Sequence, residues 1–224
     1  MRDMFTTIAP RYDFITRAFS FGMDRRWKRL AVVFARLPAG ARVLDLACGT
    51  GDFGRLAQAQ CSGATIVAAD LTEPMLHLAK ISDRACADAA SLPFQPACFD
   101  AVFIGYGLRN FPRLALAIEE VHRVLKPGGI LVSLDFFLPR RPWLRKLYLG
   151  YLYAQGAAWG LILHGRARIY TYIPDSLGSF LVADTFSCLL EKMDFTNVTV
   201  RTFIMGGIAV HWARKIPCSR PDIQ

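Results

Sequence analysis

Glycines at 49, 51 and 54 follow the apolar pentapeptide RVLDL at 42 to 46 and satisfy the pattern GxGxxG. Such a loop leaves its backbone bare, so a nucleotide can approach Gly49 and Gly51 closely. With an acid, Asp70, nineteen residues after Gly51, the pattern by itself suggests a dinucleotide fingerprint. Asp45, four residues before Gly49, decides between ligands. A carboxylate there repels a pyrophosphate and suits an ammonium, which points to S-adenosylmethionine rather than NAD. Asp70, with Leu71 beside it, is placed to accept hydrogen bonds from ribose hydroxyls, and Thr50 adds a hydroxyl contact. Asp88 with Ala89 is placed to meet the adenine, where a carboxylate accepts from the exocyclic amine. Each acid also has a plainer use as a helix cap or a loop charge.

The elements around these residues alternate. RVLDL reads as a first strand, and the glycine turn leads into a helix through Leu56 and Ala57. Thr65 to Ala69 is a second buried strand ending in Asp70, and Pro74 opens the next helix, where its missing N–H costs nothing. Asp88 follows a weaker third strand, and Phe99 to Ile104 is a fourth. Leu114, Ile118, Val121 and Leu125 mark a helix stopped by Lys126, Pro127, Gly128 and Gly129, before a fifth strand from Ile130 to Phe136. A helix around Phe186, Leu189, Leu190 and Met193 precedes Val198 to Phe203 and Ile208 to Ala213, which read as a hairpin. The predicted fold is α/β: a doubly wound, mostly parallel seven-stranded sheet with a C-terminal antiparallel hairpin. Ligands of such sheets bind beyond the strands' carboxyl ends.

At 224 residues the chain is read as a single domain, 1–224. Residues 1–38 form an N-terminal helical cap, with Trp27, Leu30, Ala31 and Phe34 on one face. Hydrophobic residues make up 53% and charged residues 20%, which excludes disorder and suggests an apolar pocket beyond an ordinary core. A formal charge of +9 favours anionic partners. The basic residues fall in short groups with no nucleic-acid module pattern, so no nucleic-acid partner is expected. Six cysteines, at 48, 61, 86, 98, 188 and 218, have no metal spacing, so no metal is expected and reduced thiols in a cytoplasm fit. Arg2, Asp3, Arg11 and Asp13 interrupt the N-terminal apolar run, which does not fit a signal peptide.

Taken together, VLDLACGTGD, the acid at 70, GYGLRN at 105 to 110 and RVLKPGG at 123 to 129 resemble the ubiquinone and menaquinone biosynthesis C-methyltransferase family. The resemblance begins at Tyr12 and Asp13, continues through Ser20, Phe21, Gly22 and Trp27, and returns at Tyr170, Tyr172, Asp184 and Thr185. It implies a Rossmann-like methyltransferase fold and methylation of a ring carbon on a polyprenylated benzoquinol or naphthoquinol. Cofactor contacts carry over to Thr50, Asp70, Asp88 and Ala89. This sequence departs at Gly105, where the family usually has a cofactor-contacting serine, so that hydrogen bond is missing or comes from backbone. Ile15 and Thr16 replace Met-Asn, Asp24 replaces His, Asp135 replaces Glu and Phe137 replaces Ser.

An aromatic carbon is a poor nucleophile until a neighbouring hydroxyl is deprotonated, so the reduced quinol is the expected acceptor. Arg109 is the candidate phenolate stabiliser and Asn110 the orienting group, both following the fourth strand. The plainer use of Arg109 is an ion pair with Asp100 or a helix cap. His211 is an alternative base that lies inside the apolar run IAVHWA, where a core histidine fits better. Tyr172 and Tyr170 read as pocket walls first and acids second.

Residues 147 to 163 carry no charge, which as a helix spans about 26 Å, short of a bilayer core of roughly 30 Å. The segment is read instead as part of an apolar substrate cap, 138–183, over a prenyl tail. Arg140, Arg141, Arg145, Lys146, Arg166 and Arg168 flank it, so peripheral attachment to an anionic inner membrane face is expected. A homodimer is compatible with this reading. Three rivals remain: a methyltransferase of another hydrophobic small molecule, a non-catalytic binding module, and a nucleic-acid methyltransferase without the usual NPPY-like or cysteine-nucleophile motifs.

Overall fold

A computed structural model describes residues 12–217. Arg2, Asp3, Arg11 and Cys218 lie outside the described residues, as do the side chains of Tyr12 and Asp13. Seven strands form one sheet in the order β3-β2-β1-β4-β5-β7-β6. They are β1 (Arg42–Leu46), β2 (Thr65–Asp70), β3 (Asp83–Cys86), β4 (Phe99–Gly105), β5 (Leu125–Phe136), β6 (Phe195–Phe203) and β7 (Ile208–Lys215). The first five run parallel, with Leu44 opposite Val67 on one side and Val102 on the other. β7 lies antiparallel between β5 and β6, with Val132 opposite Trp212.

Eight helices cover the sheet among the described residues: α1 (Tyr12–Phe19), α2 (Asp24–Ala35), α3 (Asp52–Gln60), α4 (Glu73–Leu78), α5 (Leu114–Val124), α6 (Pro142–His164), α7 (Tyr172–Gly178) and α8 (Ala183–Lys192). Strand side chains alternate between two buried layers, as a sheet covered on both faces requires. Val43, Phe103, Val132 and Val210 pack with residues of α1, α2, α3 and α6. Leu44, Val102, Leu131 and Ala209 pack with residues of α5 and α8. This is the doubly wound architecture read from the sequence, hairpin included.

Local details differ. The buried stripe of α2 is Asp24, Trp27, Lys28, Ala31, Val32 and Ala35, whereas Phe34 is 57% exposed with its ring against Trp212. The apolar spacing missed two charged members of that stripe because Asp24 and Lys28 pair with each other. α5 ends at Val124, one residue before the expected last helical position, Leu125, and the expected stop Lys126 to Gly129 already belongs to the irregular start of β5. The β4–β5 register shifts between Phe99 and Ala101 there, and Gly128 takes a φ of 76°.

Gly156 and Gly160, which look like interruptions of α6, are contact points. A Cβ on Gly160 would lie 2.5 Å from the Arg166 carbonyl oxygen, and one on Gly156 would lie 2.9 Å from that of Tyr170. The chain leaving α6 folds back across the helix only because both positions lack a side chain. On its other flank α6 meets the N-terminal helices: Gln155 donates to the Ala18 carbonyl at 3.2 Å and Phe14 meets Trp159 edge-on at 5.0 Å. No single helix among the described residues is long and apolar enough to cross a membrane.

Candidate active site

The carboxyl ends of β1, β2 and β4 open on a cavity of about 230 Å³, whose walls include Gly49, Asp70, Leu71, Asp88, Ala89 and Asn110. Its floor is the loop after β1, where Ala47, Gly49 and Gly51 take positive φ of 52°, 53° and 76°. Gly107 presses on this loop so closely that a Cβ would come within 2.7 Å of that of Ala47. Asp70 ties β2 to the loop: one carboxylate oxygen accepts from the Gly49 amide at 2.9 Å and the other from Thr72 at 2.8 Å. Burial pushes its pKa up and those amides hold it back. The Thr72 side chain and the Leu71 amide bond to the same carboxylate, which lines the cavity within reach of a diol. Asp88 accepts from the Ala90 amide at 2.9 Å and pairs with Arg113 at 3.2 Å.

Asp45 stands differently. It is 1% exposed and does not line the cavity, and it accepts from the Gly54 amide at 2.8 Å. Burial is the main reason its pKa is pushed up to about 7, against the pull of the Gly54 amide and of Lys28. Lys28 reaches in from α2, with its Nζ 3.1 Å from Asp24, 3.5 Å from Asp52 and 5.7 Å from the centroid of the Tyr106 ring, a cavity wall. Thr50 and Gly51 belong to this loop but do not line the cavity. Gly105 backs onto Phe53, and a Cβ there would meet that ring at 3.1 Å, so the glycine in place of serine accompanies an aromatic ring where a larger side chain would crowd.

Beyond β4, Arg109 is fixed by Asp135 at 2.8 Å and by the Tyr106 carbonyl at 2.9 Å, with Phe136 under its guanidinium. Its partner is therefore Asp135, at the end of the neighbouring β5. Asp100 instead binds Lys126 and the Arg42 amide. Asp135 also accepts from the Leu108 and Phe136 amides, and burial pushes its pKa up more than Arg109 lowers it. Tyr172 hydrogen-bonds to Arg109, and burial raises its pKa. Asn110 lines the cavity, donates to the Tyr106 carbonyl at 3.3 Å, and keeps its buried Oδ1 without a partner.

Neither Arg109 nor Tyr172 lines the cavity, and two other candidates are enclosed elsewhere. His211 is sealed between Phe137 and Phe186, donates from Nε2 to the Ala183 carbonyl at 3.0 Å, and is held down to about 4 by burial. Tyr170 is fully buried against His164, at 2.9 Å from its Nε2. Sequence reasoning also missed Tyr106, Phe111 and Arg113 as cavity walls. Their position right after β4, beside GLRN, was the available signal. Among the described residues, no group of three or more His, Cys, Asp or Glu side chains is placed to hold a metal ion.

The donor and acceptor set fits an adenosyl group: a carboxylate for a diol, another for an exocyclic amine, and apolar Leu71 and Ala89 between them. The sequence matches the ubiE/COQ5 methyltransferase family over residues 1–215. It is 38% identical over 216 residues to a demethylmenaquinone methyltransferase of Thermus thermophilus, covering 93% of this chain and 98% of that protein. It is 37% identical over 220 residues to the ubiquinone/menaquinone biosynthesis C-methyltransferase UbiE of Geotalea uraniireducens, covering 93% of each. In fold it is similar to a SAM-dependent methyltransferase of Thermotoga maritima, with a TM-score of 0.67 at 18% identity over 96% of this chain and 100% of that one. A similar likeness, TM-score 0.62 at 18% identity over 84% of this chain and 52% of that one, holds for Haemonchus contortus phosphoethanolamine N-methyltransferase 2 in complex with S-adenosyl-L-methionine.

Proposed function

Because the chain belongs to the ubiE/COQ5 methyltransferase family, we propose that it transfers a methyl group from S-adenosylmethionine to a ring carbon of a prenylated quinol in respiratory quinone biosynthesis. The acceptor is of the demethylmenaquinol or 2-polyprenyl-6-methoxybenzoquinol type. The observation that carries the cofactor half is Asp70, which closes the glycine loop through the Gly49 amide while lining the cavity. In this reading Asp70 takes the ribose hydroxyls, Asp88 with Ala89 takes the adenine amine, and Leu71 covers the ring.

The cofactor supplies an electrophilic methyl on a sulfonium. The protein's task is to bring the acceptor carbon to within about 3 to 3.5 Å of that methyl, in line with the breaking bond. Asn110 is suited to this, since its unpartnered Oδ1 accepts a hydrogen bond from the acceptor's hydroxyl and orients the ring. Arg109, held rigid by Asp135, is the fixed positive charge that favours the phenolate of that hydroxyl. Tyr172, bonded to Arg109, is a wall of the same site. Residues 138–183, which contain α6 and α7, form the cap over the prenyl tail.

Peripheral attachment to the inner membrane face belongs to the same proposal. Trp143 and Leu147 are 57% and 63% exposed on the first turns of α6, beside Arg141, Arg145 and Lys146. An anionic leaflet attracts such cations by about 1 kcal/mol each near its surface.

The deciding experiment incubates the purified chain with S-adenosylmethionine and reduced demethylmenaquinone or demethylated benzoquinone, and reads the product by mass spectrometry. A product heavier by one methyl, formed only from the reduced ring, is the expected result. Failure with both rings, in protein that still binds S-adenosylhomocysteine, would overturn the acceptor and leave the cofactor standing.

A further inference from the structure

The methionine portion of the cofactor ends in a zwitterion, an ammonium beside a carboxylate, and a site that grips it must offer both signs. Beneath the glycine loop three charged side chains are nearly sealed: Asp45 at 1% exposure, Asp24 at 4% and Lys28 at 7%. They come from β1 and α2, and Asp52 at the start of α3 completes the group. The Lys28 ammonium bridges Asp24 at 3.1 Å and Asp52 at 3.5 Å, which occupies two of its three N–H bonds. Asp52 is also paired with Arg55. The second oxygen of Asp24, Oδ1, is buried with no partner.

Removing charges from water is costly unless their hydrogen-bonding capacity is met, so a purely structural ion pair should be complete. This one keeps a buried acceptor, Asp24 Oδ1, unmet. None of its members lines the cavity, but the cluster adjoins the cavity's floor and one of its walls. Asp45 binds the amide of Gly54, the last glycine of the loop; Asp52 directly follows Gly51; and Lys28 Nζ is 5.7 Å from the ring centroid of Tyr106, a cavity wall.

We propose that Lys28 is a cofactor-binding residue that takes the carboxylate of the methionine portion, with Asp24 and Asp45 balancing its ammonium. The N-terminal helix pair is thereby part of the cofactor site rather than a cap over the acceptor alone. The inference rests on the S-adenosylmethionine assignment above and adds the residue that reads the amino-acid end.

The test compares two ligands by isothermal titration: S-adenosylhomocysteine, and 5′-methylthioadenosine, which lacks the amino-acid end. In Lys28→Gln, affinity for S-adenosylhomocysteine should fall at least tenfold while that for methylthioadenosine stays within about twofold. Equal losses for both ligands, or no loss for either, would overturn the proposal and leave Lys28 as a brace between α2 and α3. Should that variant fail to fold, the wild-type protein answers through S-adenosylhomocysteine and its decarboxylated analogue: a tenfold preference for the intact ligand is expected, and equal binding overturns the idea. Failure of the wild-type protein to bind S-adenosylhomocysteine at all would instead remove the cofactor assignment itself.

Discussion

Asp45 holds a charge that its surroundings disfavour. Its pKa is pushed up to about 7 from an ordinary 3.8, so between those values the folded chain binds a proton that the unfolded chain releases. Stability contributed by this group is therefore present at low pH and is lost as pH rises toward 7. Asp45→Asn keeps an acceptor for the Gly54 amide and removes the buried charge. At pH 8 it should raise stability by about 2 to 4 kcal/mol in urea unfolding while weakening S-adenosylhomocysteine binding about tenfold. His211 runs the other way. Its pKa is held down to about 4, so the wild-type protein loses stability as pH falls below about 6.5. In His211→Phe that acid-side loss should shrink, and kcat for methyl transfer should stay within about twofold of wild type, because the ring lies in the core between Phe137 and Phe186. Asp70 and Asp88 were legible from spacing alone, because strand ends place their side chains. The Arg109–Asp135 pair was not, since its members are 26 residues apart and meet only because β5 lies beside β4.

α6 shows how one element carries two kinds of glycine. Gly150 has nothing within 4 Å of a built Cβ, whereas Gly160 would set one 2.5 Å from a carbonyl oxygen. Gly150→Ala should therefore stabilise the chain by about 0.5 to 1 kcal/mol through helix propensity. Gly160→Ala should destabilise it by about 1 to 3 kcal/mol through overpacking, and thermal unfolding of the two variants measures the contrast. Composition could not separate these glycines, because the difference lies in residues 166–171 folding back over the helix. Strand positions were read well, since buried parallel strands are short apolar runs. Helix ends were read less well: Leu125 continued the apolar spacing of α5 yet begins β5.

For the molecule as a whole, the cavity is a rim phenomenon, walled by residues at the ends of adjacent strands: Asp70 at the end of β2, Leu46 at the end of β1 and Tyr106 just past β4. At the same end, the approach to α6 carries Arg140 and Arg141 beside Trp143. The intact chain should co-sediment with vesicles containing anionic lipid at low salt and separate from them at 0.5 M salt, where screening shortens to a few ångströms. Arg141→Glu with Lys146→Glu should reduce the bound fraction severalfold, and no binding to anionic vesicles at low salt would count against membrane attachment. The α/β winding and the closing hairpin were legible in the alternation of strands and helices. The position of β7 between β5 and β6 was not, because a hairpin read from sequence names neighbours in the chain and leaves open which strand lies inward.

That inward strand has a consequence for how the chain is made. β6 emerges from the ribosome before β7, yet it has no place in the sheet until β7 has paired with β5, since β7 alone touches both. The donor cleft is encoded by residue 117, so its strands are synthesised well before the sheet can be finished. Until the last strand arrives, the edge of β5 is bare and open to pairing with another chain. Emergence of β7, rather than synthesis of the binding residues, is the event that completes the sheet, and a chain ending at Gly207 should stay on chaperones or aggregate.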